Sequence, residues 1–164
     1  MDFLELVTKR HSVRIYQDKD VSEEDVRKIF EIVRLAPSAF NAQAFKFVAY
    51  RDQKIKDQLA EATGMTYIAK APVAIVAVGT DTTNKYNETD VAIALDHLQL
   101  AAAELGIGSV WIGTLGHDKV DKIIGPMPEN SKVYAVMPLG YDAAKEMPKN
   151  RKKFEELFSF EKFK

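Results

Sequence analysis

The chain has 164 residues, 46% of them hydrophobic and 29% charged, enough for one well-buried core and too few for two ordinary domains. Its 23 basic and 24 acidic residues nearly cancel, so no global field draws in nucleic acid or an anionic membrane, and any anion site has to be a local cluster. The absence of cysteine rules out disulfides, thiolate catalysis and cysteine-ligated metals; no apolar run nears the ~18 residues of a membrane span and the first residues are acidic, so a cytoplasmic protein is expected.

Phe3, Leu4, Leu6 and Val7 suit a short amphipathic helix leading into Arg10-His11-Ser12-Val13-Arg14, a tight basic cluster that reads either as an anion clamp or as a solvated face. Ser22 followed by Glu23, Glu24 and Asp25 marks a helix start, and Val26, Ile29, Phe30 and Val33 make one apolar stripe that stops before Ala36-Pro37. Phe45–Tyr50 has strand composition, and Gln53–Ala62 returns to helical spacing through Ile55 and Leu59. Val73–Val78 is apolar throughout, as expected of a central strand covered on both faces. The longest helix is expected over Thr89–Leu105, rich in alanine and stopped by Gly106, followed by a strand at Ser109–Gly113 and a short helix at about His117–Ile124. Lys132–Met137 is the last expected strand. The remainder is polar and proline-bearing, then carries Phe154 and Phe158 with little domain left to pack them on, which suggests docking on a partner subunit.

Gly106-Ile107-Gly108 imitates the start of a dinucleotide-binding loop, but Trp111 replaces the third glycine and the order is helix to strand rather than strand to helix. His11, His97 and His117 have no metal-ligand spacing, so no metal is expected. Asp90 and Asp96 are readable as paired acids or, more commonly for single acids on a long helix, as caps or solvent-facing residues. Pro37-Ser38-Ala39-Phe40-Asn41-Ala42-Gln43 is either a plain turn or a ligand loop whose amide side chains match the edge of a heteroaromatic ring. Met147-Pro148-Lys149-Asn150-Arg151 adds cations near the end of the chain.

Taken in order, these clusters resemble the nitroreductase family, FMN-dependent oxidoreductases that work as homodimers. Arg10-His11-Ser12-Val13-Arg14 is similar to the family's Arg-His-Ser-x-Arg/Lys element, and Pro37 through Gln43 to its Pro-Ser-x-x-Asn-x-Gln loop. Asp90–Leu105 with the strand to Gly113 is similar to the family's long dimer helix and following strand, and Pro148–Arg151 to its terminal basic element. The resemblance implies an α+β fold of three layers, a central mixed sheet flanked by helices, in an intertwined homodimer. One domain spans 1–164, with 142–164 as a tail docking on the partner.

It further implies FMN held by Arg10, His11, Ser12 and Arg14, by Pro37, Ser38, Ala39 and Asn41 reaching over from the other subunit, by the backbone at Ile112 and Gly113 beside the flavin N5, and by Lys149 and Arg151 at the phosphate. Arg10 would serve the phosphate and Arg14 the ring. No side chain is required as a chemical catalyst, because FMN would pass hydride from NADH or NADPH to a nitroaromatic or quinone in a ping-pong cycle. The same likeness admits a flavin-storing or redox-sensing protein, or a relative with dehalogenase or flavin-fragmenting chemistry. Ala44-Phe45 stands where the family has Pro-Trp, implying a softer loop, and the chain's shortness implies trimmed flavin-covering segments. The family's mid-chain flavin-contacting asparagine has no clear counterpart in Thr63–Thr66.

Overall fold

The structure, a computed structural model, describes residues 2–113, 117–144 and 150–163. In chain order the elements are α1 (Phe3–Lys9), α2 (Glu23–Val33), β1 (Phe45–Tyr50), α3 (Gln53–Thr63), β2 (Val73–Gly79), α4 (Asn87–Glu104), β3 (Gly108–Ser109), β4 (Ile112–Gly113), α5 (His117–Ile124), β5 (Lys132–Gly140) and α6 (Phe154–Leu157). The helices start where side chains can cap them: Asp2 accepts from the Glu5 amide at 2.8 Å, Ser22 from Asp25 at 3.0 Å and Asp52 from Ile55 at 3.1 Å.

The sheet runs β1-β2-β5-β3, with β4 also on β5, and every pairing between these strands is antiparallel. Its mixed character comes from one parallel bridge, Ser12 to Ser109, on the outer edge of β3. Strand alternation divides the core in two. From β2, Val73, Ile75 and Ala77 face α2 and α4, meeting Ile29, Val33, Leu95 and Leu98, while Ala74, Val76 and Val78 face α3 and α5, meeting Leu59 and Val120. The three layers are therefore helix pair, sheet, helix pair, and β2 is buried along its whole length. On β5, Ala135, Met137 and Leu139 join the first cluster and Val136 the second, yet Val133 also joins the second. A register shift at Ala77/Val78 accounts for it, since one slipped residue reverses the face.

The strand expected at Ser109–Gly113 is two short pieces. Gly108, Ser109, Ile112 and Gly113 pair with Gly140, Leu139, Val136 and Ala135 in one continuous register, which sets Val110 opposite Pro138. Proline has no N–H to offer, and the ladder breaks there. The last strand extends past that proline to Gly140, and α4 begins two residues earlier than expected, at Asn87. In the tail, the Phe154 ring meets Phe158 at 4.9 Å and Phe160 at 6.3 Å, and Phe154, Leu157, Phe158, Phe160 and Phe163 are all exposed. Among the described residues no helix is long and apolar enough to cross a membrane.

Candidate functional site

The basic segment leaves α1 at Arg10, where the backbone turns extended, and lies along the sheet edge. The Val13 amide donates to the Ser109 carbonyl at 3.0 Å, and the Gln17 amide to Tyr141 at 2.9 Å. Two glycines make that docking possible. A Cβ on Gly108 would stand 2.5 Å from Cγ2 of buried Val13, and one on Gly140 would stand 2.7 Å from the Tyr16 ring. Gly106, at φ 72°, ends α4. The Gly-Ile-Gly pattern is thus a helix stop and a docking groove, not a nucleotide loop.

Each member of the segment has a distinct placement. His11 puts Nε2 2.7 Å from Asp142 Oδ2 and Nδ1 3.1 Å from the Lys9 carbonyl. Each ring nitrogen thus has an oxygen of this chain within hydrogen-bond distance, which ties the segment to Asp142. Burial holds the Tyr16 phenol well above its ordinary value, keeping it a donor to the Val13 carbonyl at 2.8 Å. Arg10 is half-buried and lines a cavity of about 220 Å³ with Lys9, His11, Asp142 and the end of α4. Arg14 is exposed, makes a long 3.5 Å contact to the Ser12 carbonyl, and opens on a second cavity of about 640 Å³. Neither guanidinium has an ion pair among the described residues.

Thr66 and Tyr67 line the Arg14 cavity too, so the mid-chain segment without an assigned role contributes hydroxyls beside that guanidinium. Lys56 also lines it, buried, donating to the Ala71 carbonyl at 2.8 Å, and desolvation lowers its pKa. The parallel bridge aligns the chain at Ser12 with that at Ser109, and residues 15–17 then lie against 141–143, Gln17 N–H donating to Tyr141 and Ala143 N–H to Ile15. Ile112 is a core residue, whereas among the described residues the space a Gly113 Cβ would fill meets only the Trp111 indole, at 3.6 Å.

The Pro37–Gln43 loop lies elsewhere. Its Ser38 hydroxyl accepts from the Gln43 amide at 2.9 Å, and the Gln43 side chain donates to Asn41 Oδ1 at 3.1 Å. Pro37 and Asn41 are exposed and Ser38 half-buried. At Ala44, where proline was the residue compared, the carbonyl accepts from Thr80 N–H at 2.9 Å and from Asn87 Nδ2 at 2.6 Å. The Ala39 amide donates to Asp90 Oδ1 at 2.9 Å. Asp90, read from the sequence as a cap or a solvent-facing acid, is 2% exposed and caps this loop rather than its own helix, whereas Asp96 is exposed. Its spacing to Ala94, one helical turn on, was the signal that it shares the buried face.

The loop precedes β1 at one sheet edge and the basic segment lies beyond β3 at the other, four interstrand steps or about 19 Å apart. Helix α4 gives the same answer: Asp90 holds the loop and Ala103 lines the Arg10 cavity, a rise of about 20 Å. One chain therefore brings Arg10, Ser12 and Arg14 to the edge that carries Ile112 and Gly113, and leaves Pro37, Ser38, Ala39 and Asn41 on the far side. Arg151 is exposed and, among the described residues, bonds only to the neighbouring Asn150 carbonyl at 3.1 Å, and Lys149 lies outside the described residues.

The family model described as "Nitroreductase family" matches residues 7–70 and 63–141. The chain belongs to the nitroreductase family. A relative from Archaeoglobus fulgidus, provisionally named an NADH dehydrogenase/NAD(P)H nitroreductase, is 35% identical over 161 residues, covering 93% of this chain and 89% of the relative. The solved structure of an FMN-dependent nitroreductase from Clostridium difficile R20291 superposes with a TM-score of 0.90 at 25% identity, over 98% of this chain and 100% of that one. Another nitroreductase structure, from Parabacteroides distasonis and bearing the same provisional name as the archaeal relative, gives 0.88 at 29% identity over 96% of both chains. The shortness noted in the sequence is one this chain shares with those nitroreductases.

Proposed function

We propose that the chain is an FMN-dependent NAD(P)H oxidoreductase of nitroreductase type, a cytoplasmic homodimer with two flavin sites between its subunits. The observation that carries the proposal is the division of the site: cations and bare backbone on one sheet edge, an amide-bearing loop about 20 Å away, each half open to solvent and neither usable alone. A second copy completes both halves. The names of the relatives, FMN-dependent nitroreductase and NAD(P)H nitroreductase, support the same cofactor and electron donor here.

The donor set fits FMN. Arg10, without a partner among the described residues, suits a phosphate, and Arg151 with Lys149 adds charge from the tail; each charge-assisted bond contributes about 1.5–3 kcal/mol. Ser12 offers a hydroxyl to the ribityl chain. Arg14, beside Thr66 and Tyr67, places positive charge where a reduced ring carries more negative charge, which favours reduction. Gly113 has no side chain to keep a flat ring from the backbone. Ser38 and Asn41 arrive from the other copy, and the phenylalanines of residues 154–163 anchor the tail on that partner. His11 serves by holding the segment in place.

The chemistry a bound FMN supplies is ping-pong hydride transfer through N5, from NADH or NADPH to an electron-poor acceptor such as a nitroaromatic or a quinone. The chain's own part is to bind, to orient and to set the charge around the ring. The test is the visible spectrum of the purified protein. A yellow protein with one FMN per chain that bleaches anaerobically on adding NADH or NADPH is expected; a colourless protein that takes up no added FMN contradicts the proposal.

A further inference from the structure

The loop of the proposed site is gripped at both ends from one turn of α4. Asp90 Oδ1 accepts the Ala39 N–H at 2.9 Å, and Asn87 Nδ2 donates to the Ala44 carbonyl at 2.6 Å. Both gripping residues are deeply buried, 2% and 1% exposed. Gly79 makes room for one of them, since a Cβ there would collide with the Asn87 side chain.

Between the grips the backbone is strained. Phe40, Asn41 and Gln43 have φ of 55°, 55° and 49°, in the left-handed region that side-chain-bearing residues avoid. Such a segment keeps its shape only when its surroundings fix it; the loop, its Phe40, Asn41 and Gln43 side chains exposed, offers a Phe40–Tyr86 ring contact at 6.1 Å and the Gln43–Asn41 and Gln43–Ser38 bonds, and the two grips tie it to the buried face of α4. The grip is also expensive. Asp90 Oδ2 and Asn87 Oδ1 are buried without a hydrogen-bond partner among the described residues, a cost that an apolar residue at either position would not incur. The first turn of an 18-residue helix eases the charge on Asp90, but core packing alone gives no reason for a carboxylate there. The bond to Ala39 does.

We infer that Asp90 is a positioning residue: together with Asn87 it clamps Ala39–Ala44 in its strained form, so that Ser38 and Asn41 meet the cofactor of a second copy already shaped for it. The inference rests on the FMN reading above. It makes loop order, rather than any direct contact from Asp90, a determinant of flavin affinity, as expected where pre-organisation removes an ordering cost from binding.

The experiment compares wild type, Asp90→Ala and Asp90→Asn in two measurements: amide hydrogen exchange at Ala39 in FMN-free protein, and the dissociation constant for added FMN. Asp90→Ala is expected to speed Ala39 exchange and to weaken FMN binding, each at least tenfold. Asp90→Asn, which keeps an oxygen to accept from Ala39, is expected to restore both to within threefold of wild type. Should Asp90→Ala not fold, Asn87→Ala, which severs the other grip, takes its place, with exchange followed across residues 39–44. A wild type that binds FMN while the unclamped variant binds it equally well overturns this inference alone. A wild type that binds no FMN overturns the cofactor reading, and the clamp's role with it.

Discussion

Replacing Gly108 by alanine should loosen the basic segment from the sheet. The new Cβ would lie 2.5, 2.7 and 2.9 Å from Cγ2, Cβ and Cγ1 of Val13, all inside van der Waals contact. Val13 cannot swing aside: it is β-branched, 3% exposed and tied through its amide to Ser109. Overpacking of this kind costs about 1–3 kcal/mol, which at a urea m-value of about 2 kcal/mol/M lowers the unfolding midpoint by about 0.5–1.5 M. Val13→Ala alone removes two buried methyl groups and costs about 2 kcal/mol. Combined, the two should cost roughly 1 kcal/mol less than their sum, because the methyl clashes vanish; recovery stays partial, because the Cβ–Cβ approach of 2.7 Å remains. Urea unfolding of the four proteins measures this, and FMN titration of the same four should show Gly108→Ala as a weaker binder, since Arg10 and Arg14 ride on the displaced segment. Strict additivity in urea, or a Gly108→Ala protein as stable as wild type, refutes the docking described for Val13.

Arg10→Ala should weaken FMN binding by about 10- to 150-fold, the loss of one charge-assisted phosphate contact, with little change in urea stability, as read by equilibrium titration. Lys56→Met should remove a pH-dependent component of stability. Because desolvation lowers the Lys56 pKa from 10.5, the unfolded chain holds more protons between the lowered value and 10.5, so the wild type gains stability from this group as pH rises through that window. The wild-type-minus-variant difference in unfolding free energy should rise with pH there, and a flat difference would contradict the burial. Replacing Phe154, Phe158 and Phe160 together by serine should shift sedimentation from dimer to monomer and release FMN, because those side chains are more than half exposed in the single chain and, in the proposed dimer, are the apolar surface the partner covers.

Much of this was legible from local sequence. Ser22 with its acidic turn placed α2, the apolar run at Val73–Val78 placed the central strand, and the Arg10–Arg14, Pro37–Gln43 and Ser109–Gly113 motifs are the segments from which the proposed site is built. What escaped were consequences of distant pairing. The break at Val110 depends on Pro138, 28 residues on, and the role of Gly108 depends on Val13 arriving from the other end of the chain. Asp90 reads from the sequence as a paired acid, a cap or a solvent-facing residue; its spacing to Ala94 points to the buried face, but nothing in its own helix announces that the Ala39 amide reaches it. The separation of the basic segment from the Pro37–Gln43 loop is a property of strand order, which alternating helices and strands do not reveal.

The central claim is that each flavin site combines Arg10 of one copy with Asn41 of the other. It is tested most directly by a mixed dimer of Arg10→Ala and Asn41→Ala chains, isolated with two different tags. If the sites are shared, one of its two sites carries both substitutions and the other carries neither, so FMN titration should give half the wild-type stoichiometry at wild-type affinity. If Arg10 and Asn41 of the same chain serve the same site, every site carries one substitution, and the mixed dimer will show no wild-type affinity at all.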